Sequence, residues 1–294
     1  MGAGSIVIAY GYSGLETGVT PQFPDGYDRD KSFQIAAQTL AAMLKKWFGP
    51  RDIAVVLAQT WTKDRLLRAL NKAEAPIHQV HVFCHGDATS LSLALHFDKS
   101  QRLNKRAARF NAMRSKTDAQ RAYMQWAAED ALVGGYFRHY FDRAELAALR
   151  AKHAKSACWQ IWGCFAGYET DELGGLNNPV LDPYFRRFGL GKTEVEGIAV
   201  EIAKHVGVVC TAAKGGGGLE YWVRDKRTRR VRRATTEDPA IEPFWLWSTR
   251  GSEWVSYDAN GKAMKDVTMF QWIWAKHLLT TGAPPQWFID GHGS

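Results

Sequence analysis

Four cysteines in a chain of 294 residues are too few for a disulfide scaffold. The thiols are expected to be free and the compartment reducing. No apolar run approaches the ~20 residues that a membrane-spanning helix needs, so no membrane span is expected. The opening stretch "MGAGSIVIAYGYSG" has neither a basic leader nor a long apolar segment, and no secretory signal is read there. Ile6 stands where a myristoylation motif beginning at Gly2 calls for Ser or Thr. Internal repeats are absent. Acidic side chains are in deficit, with 30 Asp and Glu against 38 Lys and Arg and a net charge of +8. That excess permits an acidic partner but selects none.

What is present reads as a globular chain. Hydrophobic residues make up 46% and charged residues 23%, and the length suits one large α/β domain carrying insertions. The chain has twelve tryptophans, and most of them crowd the second half. Strands and helices alternate at first. "SIVIAYGYS" (5–13) predicts a buried strand and is followed by a Gly/Pro/Asp-rich loop, 14–30. "KSFQIAAQTLAAMLKKWFGP" predicts a helix with Phe33, Ala36, Ala37, Leu40, Leu44 and Trp47 on one face. "DIAVVLAQ" predicts a second strand. Thr62 is a candidate cap for the short helix "KDRLLRALNKA". "IHQVHVFCHG" (77–86) predicts a third strand.

The pattern then changes. Residues 99–155 are basic and alanine-rich, with helical spacing and no strand signal, and predict a helical insertion. "SACWQIWGC" predicts the fourth strand. A loop with Asn177-Asn178-Pro179 follows. Thr193 and Glu196 form a capping box for "VEGIAVEIAKHVG", which Gly207 closes. "VVCTAA" predicts the fifth strand and ends at Lys214 and the run Gly215 to Gly218. Beyond it, "LEYWVRDKRTRRVRRAT" predicts a hairpin, Asn260-Gly261 a turn between strands, and "VTMFQWIWAKHLL" a last helix. The expected organisation is one domain over 1–218 with the insertion at 99–155, and an aromatic-rich C-terminal extension over 219–294 packed on it.

Buried strands joined by helices imply a mostly parallel sheet covered on both faces. Sites in such sheets lie outside the carboxyl ends of the strands. That rule separates the cysteines. Cys158 and Cys210 fall inside strands and are expected in the core, and Cys84 should point to the face opposite His85. Cys164 falls at a strand's carboxyl end, as does His85 on the preceding strand. A cysteine nucleophile needs a thiolate or a base, and histidine is the usual base near neutral pH. If the two strands are neighbours, His85 and Cys164 leave the sheet together. The backbone N–H groups of Gly86 and Cys164 are then candidate oxyanion donors, and Ala166 and Gly167 are expected to keep the space beside the thiol open.

Two stretches carry a resemblance: "VHVFCHG", an apolar strand ending in His-Gly, and "QIWGCFAG", an apolar strand ending in a small residue, Cys, any residue, a small residue and Gly. In this order and context they resemble the caspase, gingipain, legumain, clostripain and separase superfamily of cysteine peptidases, clan CD, over roughly residues 5–213. The resemblance implies a caspase-like three-layer sandwich with a mostly parallel central sheet. It implies a peptidase needing no cofactor, with Cys164 as nucleophile, His85 as general acid and base, and Gly86 with Cys164 as oxyanion donors. The partner is then a protein or peptide substrate. Glu169, Asp171, Asp182 and Glu220 are the carboxylates available to a basic substrate side chain, and none stands out.

Other patterns point elsewhere with less force. His78, His81, Cys84 and His85 suit a metal only on a helix; on a strand their spacing alternates faces, so no metal is expected. "GLGKT" (189–193) lacks the first glycine of a phosphate loop, Arg186 standing in its place. "GCFAG" puts Phe165, not the cysteine, at the middle of a hydrolase elbow, and "GYSGL" lacks its second glycine. The basic run Arg224, Lys226, Arg227, Arg229, Arg230, Arg232 and Arg233, beside Tyr221 and Trp222, supports an alternative nucleic-acid-binding role through the hairpin 224–233. The expected location is the cytoplasm, with export as a bacterial effector toxin by a dedicated machine as the variant.

Overall fold

The computed structural model describes residues 3–11, 32–48, 52–60, 63–86, 90–93, 131–133, 143–168, 196–216, 218–225, 231–233, 241–248 and 253–264. Several expectations fall outside these residues. They are the 14–30 and 174–191 loops, the Thr62 cap, Thr193, "GLGKT", Glu169, Asp171, Asp182, Lys226, Arg227, Arg229, Arg230 and the last helix.

Six strands form the main sheet: β1 (Ser5–Tyr10), β2 (Ala54–Gln59), β3 (Ile77–Phe83), β7 (His153–Trp162), β8 (Val209–Ala213) and β12 (Trp254–Tyr257). Their order is β12-β8-β7-β3-β1-β2. Every neighbouring pair is parallel except β12 with β8. β1 and β3 are buried along nearly their whole length, as central strands covered on both faces are, although β3 carries His78, Gln79 and His81. The fold is α/β, with a mostly parallel sheet and helices on both faces.

Alternate residues sort the two faces. On one face Ile6, Ile8, Phe83 and Trp162 meet α1 (Ser32–Phe48) through Phe33, Ala36, Ala37, Leu40, Leu44 and Phe48. On the other, Val7, Ala9, Val80, Val82, Trp159, Ile161, Cys210 and Ala212 pack with α2 (Lys63–Lys72), α3 (Arg143–Lys152) and α4 (Ile198–Ile202). Lys152 Nζ donates to the carbonyls of Leu70, Asn71 and Ala73, closing the end of α2 with a charge of the favourable sign. The last turn after α4 widens into a π-turn over Ala203–Gly207, and Gly207, at φ 74°, ends it. Arg150 donates to the exposed carbonyls there, 2.7 Å to His205 and 2.6 Å to Lys204.

Three expectations need correction. Of the 99–155 stretch, residues 131–133 and 143–155 are described and the rest lies outside; the described part is not helical throughout, since it holds β6 (Ala131–Val133), α3, which packs on the core through Leu149, and the start of β7 at His153. The third strand does not run unbroken to residue 86. It ends at Phe83, and His85–Gly86 form β4 of a separate antiparallel sheet, β4-β5-β6, with β5 at Ser90–Ser92. Gly197, not a side chain, stands at the start of α4, and Glu196 binds Lys204 at 2.7 Å instead of capping the helix. The extension after residue 218 supplies β12, the edge strand that pairs with β8 in the main sheet. The expected hairpin is present as β9 (Gly218–Asp225) and β10 (Val231–Arg233), with a third strand, β11 (Ile241–Ser248), on the other side of β9. The Asn260-Gly261 turn follows β12, with Gly261 at φ 79°.

Candidate active site

β3 and β7 are adjacent and parallel, and Phe83 pairs with Trp162 at their carboxyl ends. His85 and Cys164 therefore stand at equal distance beyond a matched pair. Gly163 shows how closely the two exits run. A methyl group on it would lie 3.2 Å from the Cys84 carbonyl oxygen and 3.5 Å from both the Cα and the N of Gly86. No larger residue fits without moving one chain.

His85 and Cys164 also share a face. The His85 ring meets Phe33 of α1 edge-on, with centroids 4.9 Å apart. Cys164 is half-buried and packs against the same α1-side cluster. Cys84 points the other way, fully buried among Val82, Leu91 and Ile161. Burial, with a smaller contribution from nearby Cys164, pushes the Cys84 thiol well above its ordinary range. Cys158 is pushed up to about 12 by burial, and Cys210 rises for the same reason. A thiol held protonated is a poor nucleophile. Of the four cysteines, only Cys164 is not buried.

The floor beneath the strand exits is tied down. Trp162 stacks on Phe83 at 5.3 Å and 4°. Its indole N–H donates to Nδ1 of His81 at 3.3 Å, while Nε2 of His81 bonds Gln79 Oε1 at 3.0 Å. His81 must then be neutral with its proton on Nε2, and burial lowers its pKa to about 3. Trp162 also meets Trp254 of β12 edge-on at 5.4 Å.

The turn 164–167 is fixed to β8 and β12. Phe165 N–H donates to Gly215 O at 3.1 Å and Gly167 N–H to Ala213 O at 2.9 Å. Tyr257 O–H donates to Gly167 O at 2.7 Å. The Phe165 amide is thereby committed to the Gly215 carbonyl. Ala166 and Gly167 do not keep space open beside the thiol, as their size suggested. Ala166 is fully buried, and a methyl group on Gly167 would sit 2.7 Å from Ala212 O. Their small size serves the packing of the turn.

His78, His81, Cys84 and His85 do not converge. His78 Nε2 bonds Ala3 O at 2.7 Å, and no cluster with metal-ligating composition occurs among the described residues. At β1 and β3, where the strand order reverses, the Leu93 backbone lies close against Gly11, so that a methyl group there would collide with the Leu93 carbonyl. A cavity of about 560 Å³ lies at the opposite edge, lined by Arg150, His153, Lys155, Lys204 and Asn260 among others. Arg150 and Lys204 are already engaged there by carbonyls and by Glu196. Glu220 falls in β9.

Sequence reasoning missed two neighbours of His85 and Cys164. Phe33 read as one more core residue of α1, with nothing to mark its contact with His85. Phe165 left a signal, as the one bulky side chain in a run of small ones.

Among the described residues no helix is long and apolar enough to cross a membrane. Comparison of the chain with protein-family models, with curated proteins and with solved structures returns no match.

Proposed function

We propose that the chain is a cysteine peptidase with a caspase-like arrangement, acting through His85 and Cys164. One observation supports the reading above the others. Adjacent parallel strands end in register at Phe83 and Trp162, with His85 and Cys164 following at the same interval on the same face.

In this reading His85 takes the Cys164 thiol proton as the sulfur attacks the peptide carbonyl carbon. The amides of Gly86 and Cys164 stabilise the oxyanion. The C–N bond breaks, and the departing amine receives the proton from His85. A water, deprotonated by His85, then adds to the thioester, and Cys164 leaves as the thiol. Proton, electron pair and leaving group balance with no cofactor. Substitution tests it: Cys164→Ala and His85→Ala should each abolish cleavage of a peptide pool. Retained cleavage in Cys164→Ala excludes the proposal.

A second reading draws on the β10-β9-β11 sheet, whose hairpin contains Arg224, Arg232 and Arg233. It makes the chain a nucleic-acid-binding protein. Salt-dependent binding of RNA or DNA, lost on neutralising Arg229, Arg230, Arg232 and Arg233, would support it.

A further inference from the structure

Phe165 follows Cys164 directly and holds a left-handed backbone, at φ 56°. Residues with a β-carbon rarely adopt it, and for a bulky one it is a marked outlier. Glycine or asparagine would suit the turn better. The ring is also 43% exposed, one of two large hydrophobic side chains open to solvent among the described residues. A polar side chain would suit that exposure better. Two independent costs thus meet at the residue beside the thiol.

The ring is nonetheless held in place. Its backbone N–H is bound by Gly215 O, its face stacks on Tyr168 at 6.3 Å and 28°, and a methyl group on Gly216 would lie 3.9 Å from its tip. An ordered aromatic surface with an open side, next to a nucleophile, is how a site accepts an apolar group.

We infer that Phe165 and Tyr168 receive an aromatic or branched aliphatic side chain of the peptide substrate, adjacent to the bond that Cys164 attacks. This rests on the peptidase reading. Phe165 is then a specificity-determining residue, not part of the proton transfer.

The test uses peptidyl acyloxymethyl ketones with Phe, Leu, Lys or Asp next to the electrophile, and iodoacetamide as a probe with no side chain. Alkylation rates of Cys164 are measured in wild type, Phe165→Leu and Phe165→Gly, alongside thermal stability. The Phe and Leu probes should react at least about 10-fold faster than Lys and Asp. Phe165→Gly should remove that preference, leave the iodoacetamide rate unchanged and raise the melting temperature, because glycine accepts the positive φ. Phe165→Leu should keep part of the preference. Equal rates for all peptide probes, a preference for Lys or Asp, or a preference surviving in Phe165→Gly overturns the inference alone. A Phe165→Gly protein that melts earlier and loses iodoacetamide reactivity shows the ring to be structural and also overturns it. If no peptide probe outruns iodoacetamide in wild type, the peptidase reading fails with it.

Discussion

Phe83 and Trp162 are register partners on β3 and β7, and their rings stack at 5.3 Å within 4° of parallel. This pair is the common origin from which His85 and Cys164 are measured. Two chains leaving a sheet from one stacked pair have little freedom to diverge, and the contact of Gly163 with Gly86 and the Cys84 carbonyl limits it further.

The cysteines should separate by role. Cys164→Ala is expected to remove peptide cleavage while leaving the melting temperature near wild type, since the side chain is only half-buried. Cys158→Ala and Cys210→Ala should cleave normally and each lose about 1 kcal/mol of stability from lost packing. Parallel cleavage assays and denaturant titrations read both.

Gly163 sets the spacing of the site. Gly163→Val should force the β3 and β7 exits apart and lower kcat/KM by about 100-fold, the scale of a 1 Å misplacement. Circular dichroism should still report a folded chain. Gly163→Ala, whose methyl meets the Cys84 carbonyl at 3.2 Å, should lose less. Wild-type kinetics in Gly163→Val would detach the site from the Gly163–Gly86 contact.

His81 makes the fold acid-sensitive. Its pKa is near 3 when folded and near 6.5 when unfolded, so the unfolded chain binds the extra proton between those values. The contribution is complete above about pH 6.5 and falls by about 1.4 kcal/mol per pH unit as pH drops toward 3. Urea titrations from pH 7 to pH 4 should show that slope together with a contribution from His153, whose pKa burial also lowers, and a His81→Gln protein that still folds should lose the His81 share.

Tyr257 ties β12 to the turn after Cys164. Tyr257→Phe leaves the Gly167 carbonyl without its 2.7 Å donor in a buried place. The expected cost is about 1–3 kcal/mol. A unit whose β12 docks independently of the 164–167 turn would instead show no change in denaturant midpoint.

The sequence carried the main sheet well. The five parallel strands are legible as short runs rich in Val, Ile, Ala and aromatic residues bounded by turn residues, and β1, covered on both faces, is the clearest of them. The opposed directions of Cys84 and His85 follow from strand geometry alone. Short elements did not announce themselves. Ala131–Val133 and Ser90–Ser92 are three residues each, too short to carry a period. The first residues of β7, "HAKS", are half-exposed or exposed and polar, so the strand seemed to start later. Glu196 matched a capping pattern, yet its charge is taken by Lys204 eight residues on. Ala166 and Gly167 suggested openness from size alone, whereas the Ala212 carbonyl and Val255 fill the space. The strained backbone of Phe165 has no signature in composition or periodicity.

The central claim is that Cys164 and His85 act together, and mapping of covalent labelling tests it most directly. A thiol-reactive peptide electrophile is applied to wild type, Cys164→Ala and His85→Ala, and the modified residue is identified by mass spectrometry. The account predicts modification confined to Cys164 in wild type, none in Cys164→Ala, and a rate lowered at least about 100-fold in His85→Ala, the scale of a lost general base. Labelling of Cys84, Cys158 or Cys210 in place of Cys164, or an undiminished rate in His85→Ala, would contradict it.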